Sequence, residues 1–366
     1  MQLQIFVPHC RPIAMRRLLL LLPVFLVLAG QMEHCGEARP QVPALMVFGD
    51  SLVDVGNNDY ILTVAKANAP PYGRDFKDHV ATGRFSNGKL LSDIIGEKVG
   101  FNGSPPAYLD PQASGKNLLL GANFASAGAG YYDPTTFILH VISLSQQLEN
   151  FKDYTAKLEV EAGSRQAQSI ISNSLYIISA GSADFANYYI NPLLFTTRTA
   201  DQFSDLLIGI FNNTVTQLYG MGARRIGVFS LPPLGCFPLA ITVFGLGSNK
   251  CVPRLNNDSE RYNMKFNAVV ASLSKQHSDL KIVILDINKP LYSLSTSPEA
   301  QGFSKARRAC CGTGLLEFGV FLCNTNSIGT CSNATTYVFW DSVHPSEAAN
   351  EVIVDSFTND INQLVI

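Results

Sequence analysis

Short apolar runs of strand length alternate with longer amphipathic segments along most of this chain, and no other feature constrains its fold as much. The runs lie at residues 44–48, 175–178, 225–229 and 282–285, with a shorter fifth run that starts at Leu118. Strands that alternate with helices in this way pair in parallel, with helices covering both faces of the sheet. The pattern therefore predicts a three-layer α/β domain around a central parallel sheet.

Helical periodicity fills the segments between these runs. It covers residues 90–99, 144–167, 202–221, 256–277 and a last helix from Pro345 to about 361. Proline favours the first turn of a helix and glycine favours its end, as at Gly220 and Gly222. No repeat, low-complexity stretch or linker interrupts the pattern, so we predict one domain over residues 30–366.

The N-terminus has the composition of a cleaved secretory signal. Arg11, Arg16 and Arg17 precede an apolar run at residues 18–28, and Ala29 and Gly30 follow it. A membrane span needs roughly 20 apolar residues, which this run does not reach. We predict a signal peptide at residues 1–29, an extracellular protein and no transmembrane anchor.

The balance of 27 basic against 29 acidic residues argues against a nucleic-acid partner.

Export places the cysteines in an oxidising compartment, where three disulfides are expected among six of them: Cys236, Cys251, Cys310, Cys311, Cys323 and Cys331. Their connectivity stays open at this point. Cys10 lies in the predicted signal, and Cys35 has no evident partner. The spacing lacks the paired Cys-x2-Cys that wraps a zinc ion, so we expect no metal.

Four Asn-x-Ser/Thr sequons suit an exported glycoprotein. They begin at Asn102, Asn212, Asn257 and Asn333. Each is a candidate glycosylation site on the surface of the domain.

The stretch at residues 48–58 is the strongest candidate for chemistry. It reads FGDSLVDVGNN and directly follows the first apolar run, so a strand ends at Gly49 and Asp50. Open α/β sheets place their ligand crevice at the carboxyl ends of the strands. Ser51 at this position is therefore the candidate nucleophile.

A serine hydroxyl needs a base to take its proton and a partner to orient that base. His344 lies three residues after Asp341, and one turn brings such residues to the same side. Asp341 can then accept a hydrogen bond from the imidazole and fix its tautomer. The other five histidines lack a carboxylate placed as well for this role: His9, His34, His79, His140 and His277.

Four sequence blocks occur in a recognisable order. They are Gly49-Asp50-Ser51-Leu52, the small-residue run around Gly128, Gly181-Ser182-Ala183-Asp184 and Asp341-x-x-His344-Pro345. Across residues 43–360 the chain resembles the plant-type GDSL esterase/lipase family of the SGNH hydrolases. The resemblance implies a flavodoxin-like sheet, a triad of Ser51, His344 and Asp341, and no cofactor.

The resemblance also implies an oxyanion hole with three donors. Two are the backbone N–H groups of Ser51 and Gly128, with Ala127 as an alternative in a shifted register. The third is an asparagine side chain, which Ala183 replaces in this chain. Loss of one such donor typically costs about a hundred- to a thousandfold in rate. Three accounts stay open: a slower esterase, a replacement donor from Ser182, Asn187 or water, or a protein without catalysis.

The sequence therefore predicts a monomeric, secreted serine esterase or lipase that cleaves carboxylic esters through an acyl-enzyme. One alternative is an acyltransferase of cell-wall or cutin type, and another is a catalytically impaired protein that binds wall or lipid. The substrate stays open among lipids, short acyl esters and acetylated polysaccharides. An apolar segment at residues 239–246 is either one wall of a substrate groove or an ordinary buried helical turn.

Overall fold

Five parallel strands form the central sheet of the computed structural model: β1 Leu45–Gly49, β2 Gly121–Asn123, β3 Leu175–Ser179, β4 Arg225–Phe229 and β5 Lys281–Leu285. Their spatial order is β2-β1-β3-β4-β5. This is the flavodoxin-like order, in which the winding reverses between β1 and β3. The structure describes residues 40–312, 317, 323–326 and 329–366, so the predicted signal peptide lies outside the described residues.

Both faces of the sheet are buried, which explains why the strands read as continuous apolar runs. In β1, Met46 and Phe48 enter the core on one face, and Leu45 and Val47 enter the core on the other. Every residue of β1 and β3 is buried. The predicted parallel sheet with buried strands is confirmed.

Helices cover the sheet on both sides, which confirms the three-layer α/β architecture. The core on the Met46 face contains α2 Leu144–Ala162, α3 Ser164–Asn173, α6 Ala200–Gly220 and α8 Pro253–Gln276. The core on the Leu45 face contains α1 Leu91–Lys98, α9 Asn288–Thr296, α10 Glu347–Ser356 and α11 Thr358–Val365. Three helices are shorter: α4 Ser182–Ile190 and α5 Pro192–Thr197 lie one after the other between β3 and α6, and α7 Pro238–Phe244 lies between β4 and α8.

The structure corrects three of the predicted elements. The helix predicted over residues 144–167 is broken at Gly163, whose φ of 78° lies in the left-handed region and ends α2. The apolar run at Leu118 lies in a 3-10 helix, Gly115–Leu120, and the strand begins only at Gly121. The last predicted helix is two helices, and the first begins at Glu347 rather than at Pro345, after the N-cap Ser346, which accepts from the N–H of Ala349.

The six cysteines predicted to form disulfides are all paired. The bridges are Cys236–Cys251, Cys310–Cys331 and Cys311–Cys323. All four sequon asparagines, Asn102, Asn212, Asn257 and Asn333, have exposed side chains, and their glycosylation stays a prediction.

Candidate active site

The turn after β1 is held by contacts that only glycine permits. Gly49 has a φ of +130°, and a Cβ built there would lie 1.8 Å from the carbonyl oxygen of Ser179. The same oxygen accepts the N–H of Asp50 at 2.9 Å. Gln147 of α2 accepts the N–H of Gly49 at 2.8 Å and donates to its carbonyl oxygen at 2.9 Å. The backbone two residues before Ser51 is therefore fixed from both sides.

Three predicted catalytic residues meet at this turn. Nε2 of His344 lies 2.7 Å from Oγ of Ser51, although the two residues are 293 positions apart. Nδ1 of His344 lies 2.7 Å from Oδ2 of Asp341. A neutral imidazole that donates from Nδ1 to the carboxylate leaves Nε2 free to accept the serine proton. The arrangement therefore suits proton transfer from Ser51 to His344.

Asp341 is fully buried and holds four hydrogen bonds. Its Oδ1 accepts the N–H groups of Val343 at 2.9 Å and His344 at 2.8 Å. Its Oδ2 accepts from the imidazole and from the hydroxyl of Tyr72, which lies 2.8 Å away. Burial favours the neutral acid, but attraction to His344 and these hydrogen bonds hold the pKa of Asp341 below its usual value. A carboxylate held in this way can orient the imidazole.

Ser51 follows β1 at the point where the winding of the sheet reverses, and the loops after β2 and β3 lie on its two sides. The N–H of Ser126 donates to the carbonyl oxygen of Gly49 at 2.9 Å. On the other side, the N–H of Asp50 donates to Ser179, the last residue of β3. The second and third sequence blocks therefore lie next to the first, as the family resemblance implies.

Two buried asparagines fasten the small-residue loop to the Ser51 turn. Nδ2 of Asn57 donates to the carbonyl oxygens of Asn123 and Ala125, both at 2.7 Å. Nδ2 of Asn58 donates to the carbonyl oxygen of Ala127 at 2.9 Å. These amides hold the loop after β2 against the segment that follows Ser51.

The two backbone candidates for the second oxyanion donor differ in availability. The N–H of Ala127 donates to Oδ2 of Asp54 at 2.9 Å and is therefore used within the fold. The N–H groups of Gly128 and Ser51 make no hydrogen bond among the contacts of the described residues. Gly128 has a φ of +89°, and a Cβ there would lie 2.9 Å from Cδ1 of Leu139. The register with Gly128 therefore leaves two unpaired N–H donors.

Ala183 is the second residue of α4, and its methyl side chain offers no donor. Asp184 beside it accepts from the N–H groups of Tyr131 at 2.7 Å and Tyr132 at 3.1 Å. This carboxylate ties α4 to the segment that follows Gly128. Asn187 lies one turn beyond Ala183 on the same side of the helix. It is buried, and its Oδ1 makes no hydrogen bond among the described residues.

Three buried carboxyl groups near the turn have raised pKa values. Burial raises the pKa of Asp50 and Asp54 to about 6 and that of Asp184 to about 7. Hydrogen bonds from backbone N–H groups oppose the effect of burial in each case, and a serine or threonine hydroxyl adds to them at Asp50 and Asp184. Because Asp50 and Asp184 also repel one another, the site holds negative charge at a free-energy cost.

The apolar segment predicted at residues 239–246 is partly α7, and it lies beside the His344 loop. The N–H of Leu239 donates to the carbonyl oxygen of Ser342 at 3.0 Å. Ile241 is buried, whereas Leu246 is 98% exposed. The segment is therefore partly buried and partly exposed to solvent, and its role as a groove wall stays a prediction.

Sequence reasoning missed Tyr72 and Gln147. Tyr72 lies between Pro71 and Gly73 in the segment downstream of Ser51. No local pattern indicates that its hydroxyl reaches Asp341, which is 269 positions away. Gln147 lies on a helix face among apolar residues, where an isolated buried amide is the only signal. Both residues make their hydrogen bonds to segments that are distant in the sequence, which a local pattern does not indicate.

A doubly wound parallel sheet that brings a serine, a histidine and an aspartate together beside its switch point has the architecture of the SGNH hydrolases. The family described as "GDSL-like Lipase/Acylhydrolase" matches residues 45–357, and the chain belongs to it. This confirms the resemblance read from the sequence.

Two relatives from Arabidopsis thaliana share more than half of their aligned residues with this chain. The GDSL esterase/lipase APG is 57% identical over 313 residues, covering 85% of this chain and 89% of its own. A second GDSL esterase/lipase is 55% identical over 324 residues, covering 87% and 89% respectively. The chain is accordingly a hydrolase of carboxylic esters, as predicted.

Among solved structures, the chain is similar to the acetylxylan esterase Axe2 from Geobacillus stearothermophilus. That similarity has 13% identity and a TM-score of 0.40, and it covers 87% of this chain and 94% of the other.

None of the helices in the described part of the chain has the length and apolar character needed to cross a bilayer. The described residues also contain no group of three or more His, Cys, Asp or Glu side chains placed to hold a metal ion.

Proposed function

We propose that the chain is a secreted serine esterase in which Ser51, His344 and Asp341 form the catalytic triad. The observation that carries this proposal is the continuous hydrogen-bond chain from Oδ2 of Asp341 through the imidazole to Oγ of Ser51, with both links at 2.7 Å. A base held this way meets the geometric requirement for activating a hydroxyl.

In the first half of the reaction, Oγ of Ser51 bonds to the ester carbonyl carbon while its proton moves to Nε2 of His344. The electron pair of the carbonyl bond moves to its oxygen, and Asp341 stabilises the imidazolium through Nδ1. Collapse of the tetrahedral intermediate breaks the bond to the leaving alkoxy oxygen. That oxygen takes the proton from His344, and the acyl group stays on Ser51.

Water completes the cycle. It gives a proton to Nε2 of His344 as its oxygen bonds to the acyl carbon. The second tetrahedral intermediate collapses, the carboxylic acid leaves, and Oγ of Ser51 recovers its proton from His344. No residue beyond the triad and the oxyanion donors takes part in these transfers.

The backbone N–H groups of Ser51 and Gly128 are the proposed oxyanion donors, because neither makes a hydrogen bond to another described residue, whereas the N–H of Ala127 donates to Asp54. The third donor of the family is absent at Ala183, so we expect slower turnover by about a hundred- to a thousandfold.

Secretion and glycosylation are part of the same proposal. Three disulfides suit an oxidising compartment, and four exposed sequon asparagines suit passage through the glycosylation machinery. The compact unit at residues 40–366 supports a single hydrolase domain after the signal peptide.

The test is the hydrolysis of p-nitrophenyl acetate and p-nitrophenyl butyrate by the purified Ser51→Ala variant. We expect a loss of at least about a thousandfold in kcat/KM, because the acyl-enzyme no longer forms. Ser169→Ala is the matched control, since Ser169 is exposed on α3. Equal activity of Ser51→Ala and Ser169→Ala would overturn the assignment of the nucleophile.

A further inference from the structure

A second cleft, with a volume of about 670 Å³, shares no residue with the Ser51 site. Its walls are the second half of α9, the extended segment at residues 304–308 and the loop at residues 249–251. The Cys236–Cys251 disulfide anchors that loop. The cleft is therefore built from three separate parts of the chain and is large enough to hold a small organic ligand.

Positive charge dominates this cleft. Lys250, Lys305, Arg307 and Arg308 line it, against one carboxylate, Glu299. The chain as a whole has a formal charge of −2, so the concentration of cations is local. None of the four has an ion pair with a carboxylate within the described part of the chain. The cleft thus presents unneutralised cations.

Two buried polar atoms in the cleft also have no hydrogen-bond partner among the described residues. They are Oγ of Ser295, whose residue is only 8% exposed, and Nη1 of Arg307. Nε of Arg307 donates to the carbonyl oxygen of Asn249 at 2.6 Å, which orients the guanidinium. Buried polar groups in proteins are nearly always hydrogen-bonded. These two atoms add hydrogen-bonding capacity that the described residues leave unused at the lining of the cleft.

The lining also offers surface for a sugar ring. Tyr292 is 45% exposed in the cleft, and an exposed aromatic ring provides an apolar face with a polar tip. The hydroxyls of Thr296 and Ser304 lie on the same lining. A compact anion such as phosphate would engage one or two cations, whereas a chain of charged sugars uses the cations, the ring and the hydroxyls together.

We propose that this cleft binds an oligosaccharide that carries carboxylate groups, with uronic acid residues as the chemical class. The arginine fork matches a carboxylate through two parallel hydrogen bonds, and the lysines neutralise neighbouring charges. The cleft is also connected to the catalytic loop. Lys305 pairs in parallel with Tyr337, and the carbonyl oxygen of Lys305 accepts the N–H of Val338 at 2.8 Å, three residues before Asp341.

Calorimetric titration of the intact protein with de-esterified hexagalacturonate at low ionic strength tests the proposal. The probe contains no ester, so its binding does not depend on the chemistry of Ser51. We expect maltohexaose, a neutral chain of equal length, to bind at least about tenfold more weakly. A protein that fails to bind hexagalacturonate, or that binds both sugars equally, would contradict the proposal.

A triple variant and a charge-matched control locate the binding. Lys250→Gln, Lys305→Gln and Arg308→Gln together should weaken hexagalacturonate binding at least about tenfold. Lys116→Gln, Arg165→Gln and Lys275→Gln remove the same charge at exposed positions outside the cleft and should change affinity less than about twofold. Equal losses in the two triple variants would show a long-range charge effect and overturn the site.

Two further measurements separate the sugar from a simple anion and from misfolding. Ser295→Ala removes a single buried hydroxyl and should weaken hexagalacturonate binding by about fivefold, with the thermal unfolding midpoint retained. Inorganic phosphate at the same concentration should not displace the sugar. Displacement by phosphate, or unchanged affinity in Ser295→Ala, would contradict recognition of a carboxylated oligosaccharide.

Discussion

Tyr72 and His344 donate hydrogen bonds to the same oxygen, Oδ2 of Asp341, at distances of 2.8 and 2.7 Å. Burial, followed by the neighbouring carboxylate, raises the pKa of Tyr72 well above its usual value, so the hydroxyl stays protonated and remains a donor. The ring of Phe85 packs against both Tyr72 and His344. Tyr72 is therefore a positioning residue that stabilises the charged form of Asp341.

The Tyr72→Phe variant should lower kcat for ester hydrolysis by about tenfold and leave KM within about twofold, because one hydrogen bond to a buried carboxylate is lost. Tyr219→Phe is the control, because it removes a hydroxyl bonded to an exposed carboxylate, Asp279. An unchanged kcat in Tyr72→Phe, or a loss of similar size in Tyr219→Phe, would contradict the positioning role of Tyr72.

Ala183→Asn should raise kcat, since an amide at this position restores the third oxyanion donor. We expect a gain of about ten- to a hundredfold, below the full value of a native donor because the surrounding loop is adapted to alanine. Ala186→Asn, at an exposed position of the same helix, should leave kcat unchanged. No gain in Ala183→Asn would indicate that a replacement donor already occupies the oxyanion position or that Ala183 lies elsewhere.

Gly49→Ala should destabilise the fold by more than about 3 kcal/mol, because the added methyl group meets a strand carbonyl and the backbone φ is positive. Gly209→Ala is an instructive control. Gly209 lies within α6 and a Cβ there meets nothing within 4 Å, so this change should stabilise the protein by up to about 1 kcal/mol. Urea unfolding measures both, and equal effects of the two changes would contradict the contact with Ser179.

Stability should fall as pH rises from about 4 to 7. Asp50, Asp54 and Asp184 have pKa values raised from 3.8 to about 6, 6 and 7 in the folded chain. Over this window the folded chain binds protons that the unfolded chain has released, so deprotonation favours unfolding. The total effect is several kcal/mol, since a tenfold change in proton affinity corresponds to about 1.4 kcal/mol.

Urea unfolding at pH 4.5, 5.5, 6.5 and 7.5 measures this dependence. Asp341 and Asp93 have lowered pKa values, so the stability they provide is lost only below this window. The Asp50→Asn variant should show a shallower decline because one of the carboxyl groups with a raised pKa is gone. Stability that rises between pH 5 and 7 would contradict the raised pKa values.

Most of the sheet could be predicted because strands buried on both faces must be apolar throughout, as in β3 and β4. The run at Leu118 misled the prediction, since an apolar 3-10 turn and a short strand have the same composition. The break at Gly163 was missed because one glycine within a helical pattern is often tolerated. Local periodicity thus gives the type of an element more reliably than its ends.

Some residues of the candidate site could also be predicted from the sequence, and others could not. Ser51 and the Asp341–His344 pair could be found because each lies in a short local pattern. Tyr72, Gln147 and the disulfide connectivity depend on which distant segments become neighbours, and a single sequence does not contain that information. The basic lining of the second cleft was missed for the same reason, since Lys250 and Lys305 are far apart in the chain.

The most direct test of the central claim is covalent labelling of the intact protein with a fluorophosphonate, followed by peptide mapping. An unactivated serine reacts negligibly with such a probe, whereas a serine hydrogen-bonded to an oriented imidazole reacts readily. We predict one label per molecule, located on Ser51, and its loss in both Ser51→Ala and His344→Ala. Absence of labelling, or labelling at another serine, would contradict the account.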